Sequence, residues 1–187
     1  QNVFDGITHQ SITAVSKEVA ERTIIVTSLS KSYAITGWRL GYAIAEPKVA
    51  EMIGRINQYS SRGAASMAQY ASISAINEGD PFIQEMNEEY KLRRDAITKG
   101  LNDIDGVMCP LAEGGMFAFA EFPASWGDST DVANYLLNEK GVIVTPGSDF
   151  GAASRHHLRL SFVNSIEIIN EGIEILRETL SLKYQNY

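Results

Sequence analysis

The chain is poor in the side chains that cross-link proteins or bind metals. Its 187 residues include one cysteine, Cys109, so no disulfide can form within the chain. The three histidines, His9, His156 and His157, do not recur at the spacings typical of metal ligands. The composition therefore excludes an internal disulfide framework and predicts that the protein has no metal centre.

Long apolar runs and clusters of basic residues are also lacking. No run approaches the roughly 20 apolar residues of a membrane-spanning helix, and no signal-peptide pattern opens the chain. The net charge of −7 argues against nucleic-acid binding, which depends on clustered Lys and Arg. With 44% hydrophobic and 21% charged residues, the composition is that of an ordinary globular protein. The sequence predicts a soluble, cytoplasmic protein that binds neither nucleic acid nor membranes.

Reactive side chains are concentrated in the segment SLSKSYAITGWRLGY, residues 28–42, which follows the apolar run TIIV. It places the amine of Lys31 near the hydroxyls of Ser28 and Ser30, and the guanidinium of Arg39 eight residues further on. A lysine amine can form an imine with an aldehyde, and arginine binds phosphate oxygens in a bidentate way. The segment therefore suits a cofactor with both an aldehyde and a phosphate. Taken singly, a lysine in a loop is usually a solvated charge, and a serine there can simply cap a turn.

The serine three residues before the lysine, the arginine eight residues after it and the run TGWRLGY together resemble the lysine motif of the class I and II aminotransferases. These are pyridoxal-phosphate enzymes of the aspartate aminotransferase type, with fold type I. The resemblance implies transfer of an amino group between an amino acid and a 2-oxo acid, with pyridoxal 5'-phosphate held as an aldimine of Lys31. Ser28 and Arg39 match the family's phosphate-contacting positions, whereas Ser30 is explained as well by a role in the turn.

The resemblance covers nearly all of this sequence but only the C-terminal half of a typical family member. The chain begins with Gln rather than Met, so we expect it to be incomplete. In the family, the preceding half supplies an aspartate for the pyridine nitrogen, an aromatic residue for the ring and further phosphate ligands. The resemblance also implies a homodimer in the intact protein. We expect this part of the protein to have little or no activity alone.

A second candidate arginine, Arg159, lies in the segment HHLRLSF. Strand alternation places Leu158, Leu160 and Phe162 on one face and Arg159 on the other, with Ser161. From this segment alone, an exposed strand residue is the simplest interpretation. The segment also resembles the family's C-terminal strand, and this resemblance implies that Arg159 binds the substrate alpha-carboxylate.

Other candidates have simpler interpretations. Tyr42, Tyr59 and Tyr70 could line a pocket, but tyrosines more often pack as partly buried residues. Arg62 lies in a loop that approaches the partner subunit's active site in the family, although a solvated arginine is the simpler expectation.

Two further functions stay open at this point. A beta-eliminating C-S lyase or a cyclopropane-carboxylate synthase shares the fold and the lysine motif. Aminotransferase-like domains also serve as non-catalytic ligand sensors in transcription regulators. The sequence that precedes this chain in the gene would distinguish the sensor, and an assay with a panel of amino acids would separate a transaminase from a lyase.

Apolar periodicity and turn residues predict an alternating α/β chain. The predicted strands are residues 23–27, 40–45, 116–122, 142–145 and 157–163, and the predicted helices begin near residues 47, 66, 81, 129 and 165. The first of these helices should end before a loop at 57–65 and bury Val49, Met52, Ile53 and Ile56. The last should be capped by Asn164 with Glu167 and bury the stripe Ile166, Ile169, Ile173, Leu176 and Leu180.

The resemblance places a domain boundary near residue 80. Residues 1–80 would be the C-terminal part of a large cofactor-binding domain, including the remainder of its sheet, and residues 81–187 a small α/β domain with its linking helix. We expect the second part to fold compactly. The first part has too few strands to complete a sheet, so we expect it to expose apolar surface that another copy or a companion segment covers.

Overall fold

The fold consists of two compact units, Gln1–Met86 and Asn87–Tyr187. The structure is a computed structural model, and it describes the backbone of residues 2–184 and the side chains of residues 2–179. The division between the units falls within a single long helix, Asp80–Asn102. Among the described residues, no helix has the length and apolar character needed to cross a membrane.

The first unit is built from short strands and helices around one hairpin. Its regular elements are β1 (Ile25–Ser28), β2 (Gly41–Ile44), α1 (Lys17–Glu21), α2 (Leu29–Ser32), α3 (Pro47–Ser60), α4 (Ser66–Glu78) and the start of α5 (Asp80–Asn102). Strands β1 and β2 pair antiparallel, with Ile25 opposite Ile44 and Ser28 opposite Gly41. The β-branched run before Ser28 favours this extended conformation.

Two predictions for this unit need correction. Helix α3 continues to Ser60, so the predicted loop at 57–65 is shorter than expected. The predicted buried face of α3 is wrong, since no residue of this helix is buried and both Met52 and Ile56 are exposed. Periodicity identifies the apolar side of a helix, but burial requires a second layer to pack against that side. Within this chain, α3 has an apolar side without such cover.

The second unit combines a three-stranded antiparallel sheet with three helices. Its elements are the rest of α5, β3 (Phe117–Glu121), α6 (Ser129–Lys140), β4 (Thr145–Pro146), β5 (His157–Ser161) and α7 (Ile166–Tyr184). The strand order is β3-β5-β4, so β5 lies in the centre and pairs with both neighbours.

The core of this unit follows the alternation that the sequence predicts. Leu158, Leu160 and Phe162 are buried on one face of β5, whereas Ser161 is exposed. Helices α5 and α7 pack closely, because a methyl group at Gly100 would lie 2.4 Å from Cδ1 of Ile173. The predicted stripe of α7 is confirmed at three buried positions, and Ile166 is half-buried. Leu180 lies outside the described side chains. The three buried residues are Ile169, Ile173 and Leu176.

Two boundaries in the second unit differ from the prediction. The strand expected at residues 142–145 is instead the two-residue β4, Thr145–Pro146. Helix α7 is capped by Ser165 rather than Asn164, since the Ser165 hydroxyl accepts a hydrogen bond from the N–H of Ile168 at 3.5 Å. Ser165 directly precedes the first helical residue, which is the position where a side-chain oxygen reaches the free N–H groups of the first turn.

Candidate active site

The lysine segment forms the connection of the β1–β2 hairpin. Its ends are tied together by a hydrogen bond of 3.1 Å from the N–H of Leu29 to the carbonyl of Leu40. Ser28 and Gly41 lie opposite each other in the strand register. A Cβ at position 41 would lie 2.3 Å from the Thr27 carbonyl oxygen, so only glycine fits there. The hairpin thus holds both ends of the segment in one place.

Ser28 stands at the last position of β1 and caps the short helix α2. Its hydroxyl accepts a hydrogen bond of 3.1 Å from the N–H of Ser30 and donates one of 3.3 Å to the carbonyl of Leu40. Ser30 is buried and takes part in this turn through its backbone. The turn-forming role is therefore the one that the contacts give Ser30.

Lys31 lies on α2, a single helical turn rather than the loop that the sequence predicts. Its side chain is exposed, and among the described residues it has neither a hydrogen-bond partner nor an ion-pair partner. A carboxylate partner stabilises the ammonium form of a lysine, whereas the neutral amine is the form that attacks a carbonyl carbon.

Arg39 follows a short 3-10 turn and has left-handed backbone geometry, with φ of 51°. A non-glycine residue there costs roughly 1–3 kcal/mol, which the surrounding structure must offset. The guanidinium is exposed and donates a hydrogen bond of 3.1 Å to the carbonyl of Thr36. No acidic side chain among the described residues pairs with it, so most of its donors remain open to an anion.

Arg159 lies on the face of β5 opposite the buried leucines, directly across from Phe119 on β3. Its Nη2 donates a hydrogen bond of 3.1 Å to the hydroxyl of Thr145. The guanidinium carbon lies 4.3 Å from the ring centroid of Phe117 and 5.0 Å from that of Phe150. The side chain is half-buried, and within the described part of the chain no carboxylate pairs with it.

The structure places Ser28, Lys31 and Arg39 together on one hairpin of the first unit and Arg159 in the second unit. The partners of Arg159, namely Thr145, Phe117 and Phe150, do not follow from sequence alone. The alternation FAF and the glycine-bounded PGSDFG loop signal a strand and a turn. They do not indicate which rings reach a given arginine.

The remaining candidates are at the surface of this chain. Tyr42, Tyr59 and Tyr70 are all exposed, so their expected role as packing residues is wrong within the described chain. Arg62 is exposed as expected. It follows the end of α3, and its N–H donates a hydrogen bond to the carbonyl of Asn57 within that helix. No group of three or more His, Cys, Asp or Glu side chains within the described range lies together as a metal site.

The chain combines a mixed α/β fold with the lysine segment, residues 28–42, which resembles the motif of the aminotransferases. The family model of the class I and II aminotransferases matches residues 2–176. The chain is 32% identical over 179 residues to an aspartate aminotransferase of Bacillus subtilis, covering 93% of this chain and 45% of that protein. It is 34% identical over 181 residues to a (5-formylfuran-3-yl)methyl phosphate transaminase of Methanocaldococcus jannaschii, covering 96% and 47%. The chain belongs to the class I and II aminotransferase family.

Solved structures agree with this assignment. The aromatic aminotransferase of Pyrococcus horikoshii superposes with a TM-score of 0.91 at 29% identity, over 98% of this chain and 49% of that one. The aspartate aminotransferase of Rhizobium meliloti gives a TM-score of 0.85 at 31% identity, over 92% and 45%. The fold is that of part of a fold type I transferase, as the resemblance implies. The chain spans about half the length of the relatives it matches.

Proposed function

We propose that the protein to which this chain belongs is a pyridoxal-phosphate-dependent aminotransferase. The observation that carries the proposal is the position of Lys31 and Arg39 on the same hairpin. Among the described residues, the Lys31 amine has no partner, and the Arg39 guanidinium pairs with no acidic side chain. Membership of the aminotransferase family supports the same reaction class.

The residues present fit the cofactor. An aldehyde reacts with the neutral amine, a form that a paired carboxylate disfavours, and Lys31 has no such partner within residues 2–179. A phosphate needs hydrogen-bond donors, and Arg39 uses one of its five on the carbonyl of Thr36. Ser28 has a single hydroxyl proton, which it donates to Leu40 at 3.3 Å, so donation to a phosphate would replace that bond. We therefore assign the phosphate to Arg39 first and to Ser28 second.

Lys31, Arg39 and Arg159 have different tasks in the proposed reaction. When bound, the cofactor supplies an electron sink for the carbanion that forms at the substrate alpha carbon. Lys31 would hold the cofactor through its amine and, once released by substrate, move the proton at the alpha carbon. Arg39 would keep the phosphate end fixed, since its planar fork matches phosphate oxygens. Arg159 would bind the alpha-carboxylate and so orient the alpha carbon for proton transfer.

The proposed substrates are an amino acid and a 2-oxo acid. The relatives are named for aspartate, aromatic amino acids or LL-diaminopimelate, and what these names share is transfer of an amino group. We further propose that the intact protein is a homodimer and acts in cytoplasmic amino-acid metabolism and biosynthesis. The apolar surface of the first unit, which includes the exposed Tyr59, Met67 and Tyr70, supports a second copy as cover.

The test is an assay of the natural gene product with a panel of L-amino acids and 2-oxoglutarate. A transaminase forms glutamate and the 2-oxo acid of the donor in equal amounts. Release of ammonia and pyruvate from a sulfur amino acid without an acceptor would instead identify a lyase. Tight binding of an amino acid with no product at all would identify a ligand sensor.

A further inference from the structure

The guanidinium of Arg159 rests against aromatic rings rather than against a carboxylate. Its carbon lies 4.3 Å from the ring centroid of Phe117 and 5.0 Å from that of Phe150. One of its nitrogens donates to Thr145, and no acidic partner occurs among the described residues. The charge of Arg159 is thus held in place without being neutralised.

The two rings belong to a larger aromatic clamp, which we define as Phe117, Phe119 and Phe150. Phe119 lies directly opposite Arg159 in the strand register and meets Phe150 edge to face at 5.8 Å. Phe119 also stacks on His157, with ring centroids 5.0 Å apart. Phe150 closes a 3-10 turn, Gly147–Phe150, directly after β4. Two elements therefore place rings against the guanidinium, namely β3 through Phe117 and the 3-10 turn through Phe150.

Such a clamp solves a specific problem for carboxylate recognition. A bidentate bond needs the planar guanidinium in one orientation, but arginine has a long side chain with many rotamers. Pairing with a protein carboxylate would fix the orientation and also occupy the donors that the substrate needs. Aromatic rings attract the cation through their faces and leave its N–H edge free. The clamp can therefore orient Arg159 and keep its donors available.

We propose that Phe117 and Phe150 are positioning residues that orient Arg159 for a bidentate bond to the substrate alpha-carboxylate. Phe119 supports Phe150 from the sheet. This inference rests on the proposed function, because it takes Arg159 as the carboxylate-binding residue. It adds two specific side chains whose removal should affect carboxylate affinity selectively.

The test uses the natural gene product loaded with pyridoxal phosphate and two small probes. The first is 2-aminoisobutyrate, an amino acid that has no alpha hydrogen and so binds without proton transfer. The second is tert-butylamine, in which a methyl group replaces the carboxylate, so this probe has no alpha hydrogen either. Isothermal titration calorimetry gives the dissociation constant of each probe. The difference between the two reports the carboxylate contact alone, and we expect the wild-type protein to prefer 2-aminoisobutyrate.

The informative variants keep an apolar side chain at the position but remove its aromatic ring. Phe150→Leu and Phe117→Leu should each weaken 2-aminoisobutyrate binding about 3- to 30-fold, the range expected for a cation–π contact, and leave tert-butylamine binding unchanged. Phe150→Tyr keeps the ring and should restore binding. The matched control is Phe82→Leu in the first unit, where the side chain is 46% exposed, compared with 52% for Phe150. Thermal melts followed by circular dichroism verify that each variant is folded.

Arg159→Lys separates failure of the inference from failure of the proposed function. This variant keeps the charge but loses the planar fork. Two outcomes would contradict carboxylate binding by Arg159: Arg159→Lys binds 2-aminoisobutyrate as tightly as the wild type does, or the wild type binds both probes equally. Either outcome also overturns the positioning role of Phe117 and Phe150. If Arg159→Lys loses the preference while the double variant Phe117→Leu/Phe150→Leu retains it, the clamp does not position Arg159 and only the inference is overturned.

Discussion

The two units of the chain treat their apolar side chains in opposite ways. In the second unit, β5, α5, α6 and α7 all contribute buried residues, and two of these, Leu101 and Leu136, have no exposed surface. In the described part of the first unit, three hydrophobic residues are buried, whereas Tyr59 is 93% exposed and Met67 is 80% exposed. Strand β2 is exposed along its whole length. The second unit therefore has a closed hydrophobic core, whereas the first is an open layer whose apolar side chains are largely exposed.

This difference separates secondary structure from independent stability. The first unit has capped helices and a registered hairpin, so its local structure is well specified. It buries little apolar surface, and burial is the main favourable term in folding. Its elements have apolar faces that stay largely exposed among the described residues. The chain spans about half the length of the relatives it matches.

The proposed chemistry is divided between the two units as well. The three residues assigned to the cofactor, Ser28, Lys31 and Arg39, belong to the open unit. Arg159, assigned to the substrate, belongs to the closed one. Substitutions in the two units should therefore differ in what they change.

The largest expected effect is that of Lys31→Ala in the natural gene product. Loss of the amine removes both the attachment of the cofactor and the group that moves the proton, so turnover should fall on the order of 1000-fold or more. The visible absorbance of the bound cofactor should disappear. Borohydride reduction followed by peptide mapping should attach the cofactor to Lys31 in the wild type.

Lys48→Ala is the matched control, because Lys48 is an exposed lysine of the same unit on α3. It should retain absorbance and turnover. Attachment of the cofactor to any other lysine would show that Lys31 is not the lysine that binds it.

The two arginines test the division of labour between the units. Arg39→Ala should weaken retention of the cofactor, whereas Arg159→Ala should leave retention intact and weaken amino-acid binding. Loss of one partner of a charged pair in a partly buried site costs roughly 2–5 kcal/mol. This is about 30- to several-thousand-fold in affinity. Equilibrium dialysis of the cofactor and spectral titration with an amino acid measure the two affinities separately.

The matched control here is Arg55→Ala, because Arg55 is an exposed arginine of α3 that pairs with Glu51 at 2.7 Å. It should change neither affinity. Release of cofactor by Arg159→Ala with unchanged amino-acid affinity would show that the roles of the two arginines are assigned the wrong way round.

A third test compares the same substitution in the two units. Ile173 is 4% exposed and Ile56 is 66% exposed. In the 187-residue chain, Ile173→Ala should lower the free energy of unfolding by about 2–5 kcal/mol, as for other buried large-to-small changes. Ile56→Ala should stay within about 0.5 kcal/mol. Urea unfolding followed by tryptophan fluorescence measures both.

The same pair in the natural gene product sharpens the comparison. If the rest of the protein or a second copy covers α3, Ile56→Ala becomes destabilising there while Ile173→Ala keeps its cost. Equal costs for the two variants in the 187-residue chain would contradict the description of the first unit as an open layer.

Local patterns were sufficient to predict much of this fold. The α/β class, the succession of the predicted strands along the chain and the alternation at Leu158 and Leu160 are confirmed, because each depends on the spacing of neighbouring residues. The burial predicted for Met52 and Ile56 is wrong for a reason that spacing cannot reveal. A periodic stripe identifies an apolar side, but its cover depends on chain segments far away in sequence or outside the chain.

The candidate site shows the same limit. Ser28, Lys31 and Arg39 can be identified from the sequence because all three lie within one 12-residue stretch of the β1–β2 hairpin. Their roles remain predictions. The surroundings of Arg159 could not be read in this way. Phe117 and Thr145 reach it from other strands, at separations fixed only by tertiary pairing.

The smallest expected effect concerns two helix caps, one in each unit. Asp128 caps α6 by accepting a hydrogen bond of 2.9 Å from the N–H of Thr130. Glu46 caps α3 by accepting one of 3.1 Å from the N–H of Lys48. The N–H of Thr130, and then its hydroxyl, lower the pKa of Asp128 below its ordinary value. Because the folded pKa is the lower one, the ionised cap stabilises the fold fully above the unfolded pKa, about 4. This stabilisation is lost as the pH falls through the folded pKa.

Asp128→Asn tests this pH dependence, because asparagine keeps an acceptor oxygen and cannot ionise. Its urea midpoint should lie below that of the wild type at about pH 7, and the gap should narrow as the pH falls from about 5 toward about 3. Glu46→Gln should not shift the same transition at any pH, since α3 contributes no buried residue to a cooperative core. A gap for Asp128→Asn that stays constant with pH would show that the cap does not act through its charge. An equal shift from Glu46→Gln would show that the open unit unfolds together with the closed one.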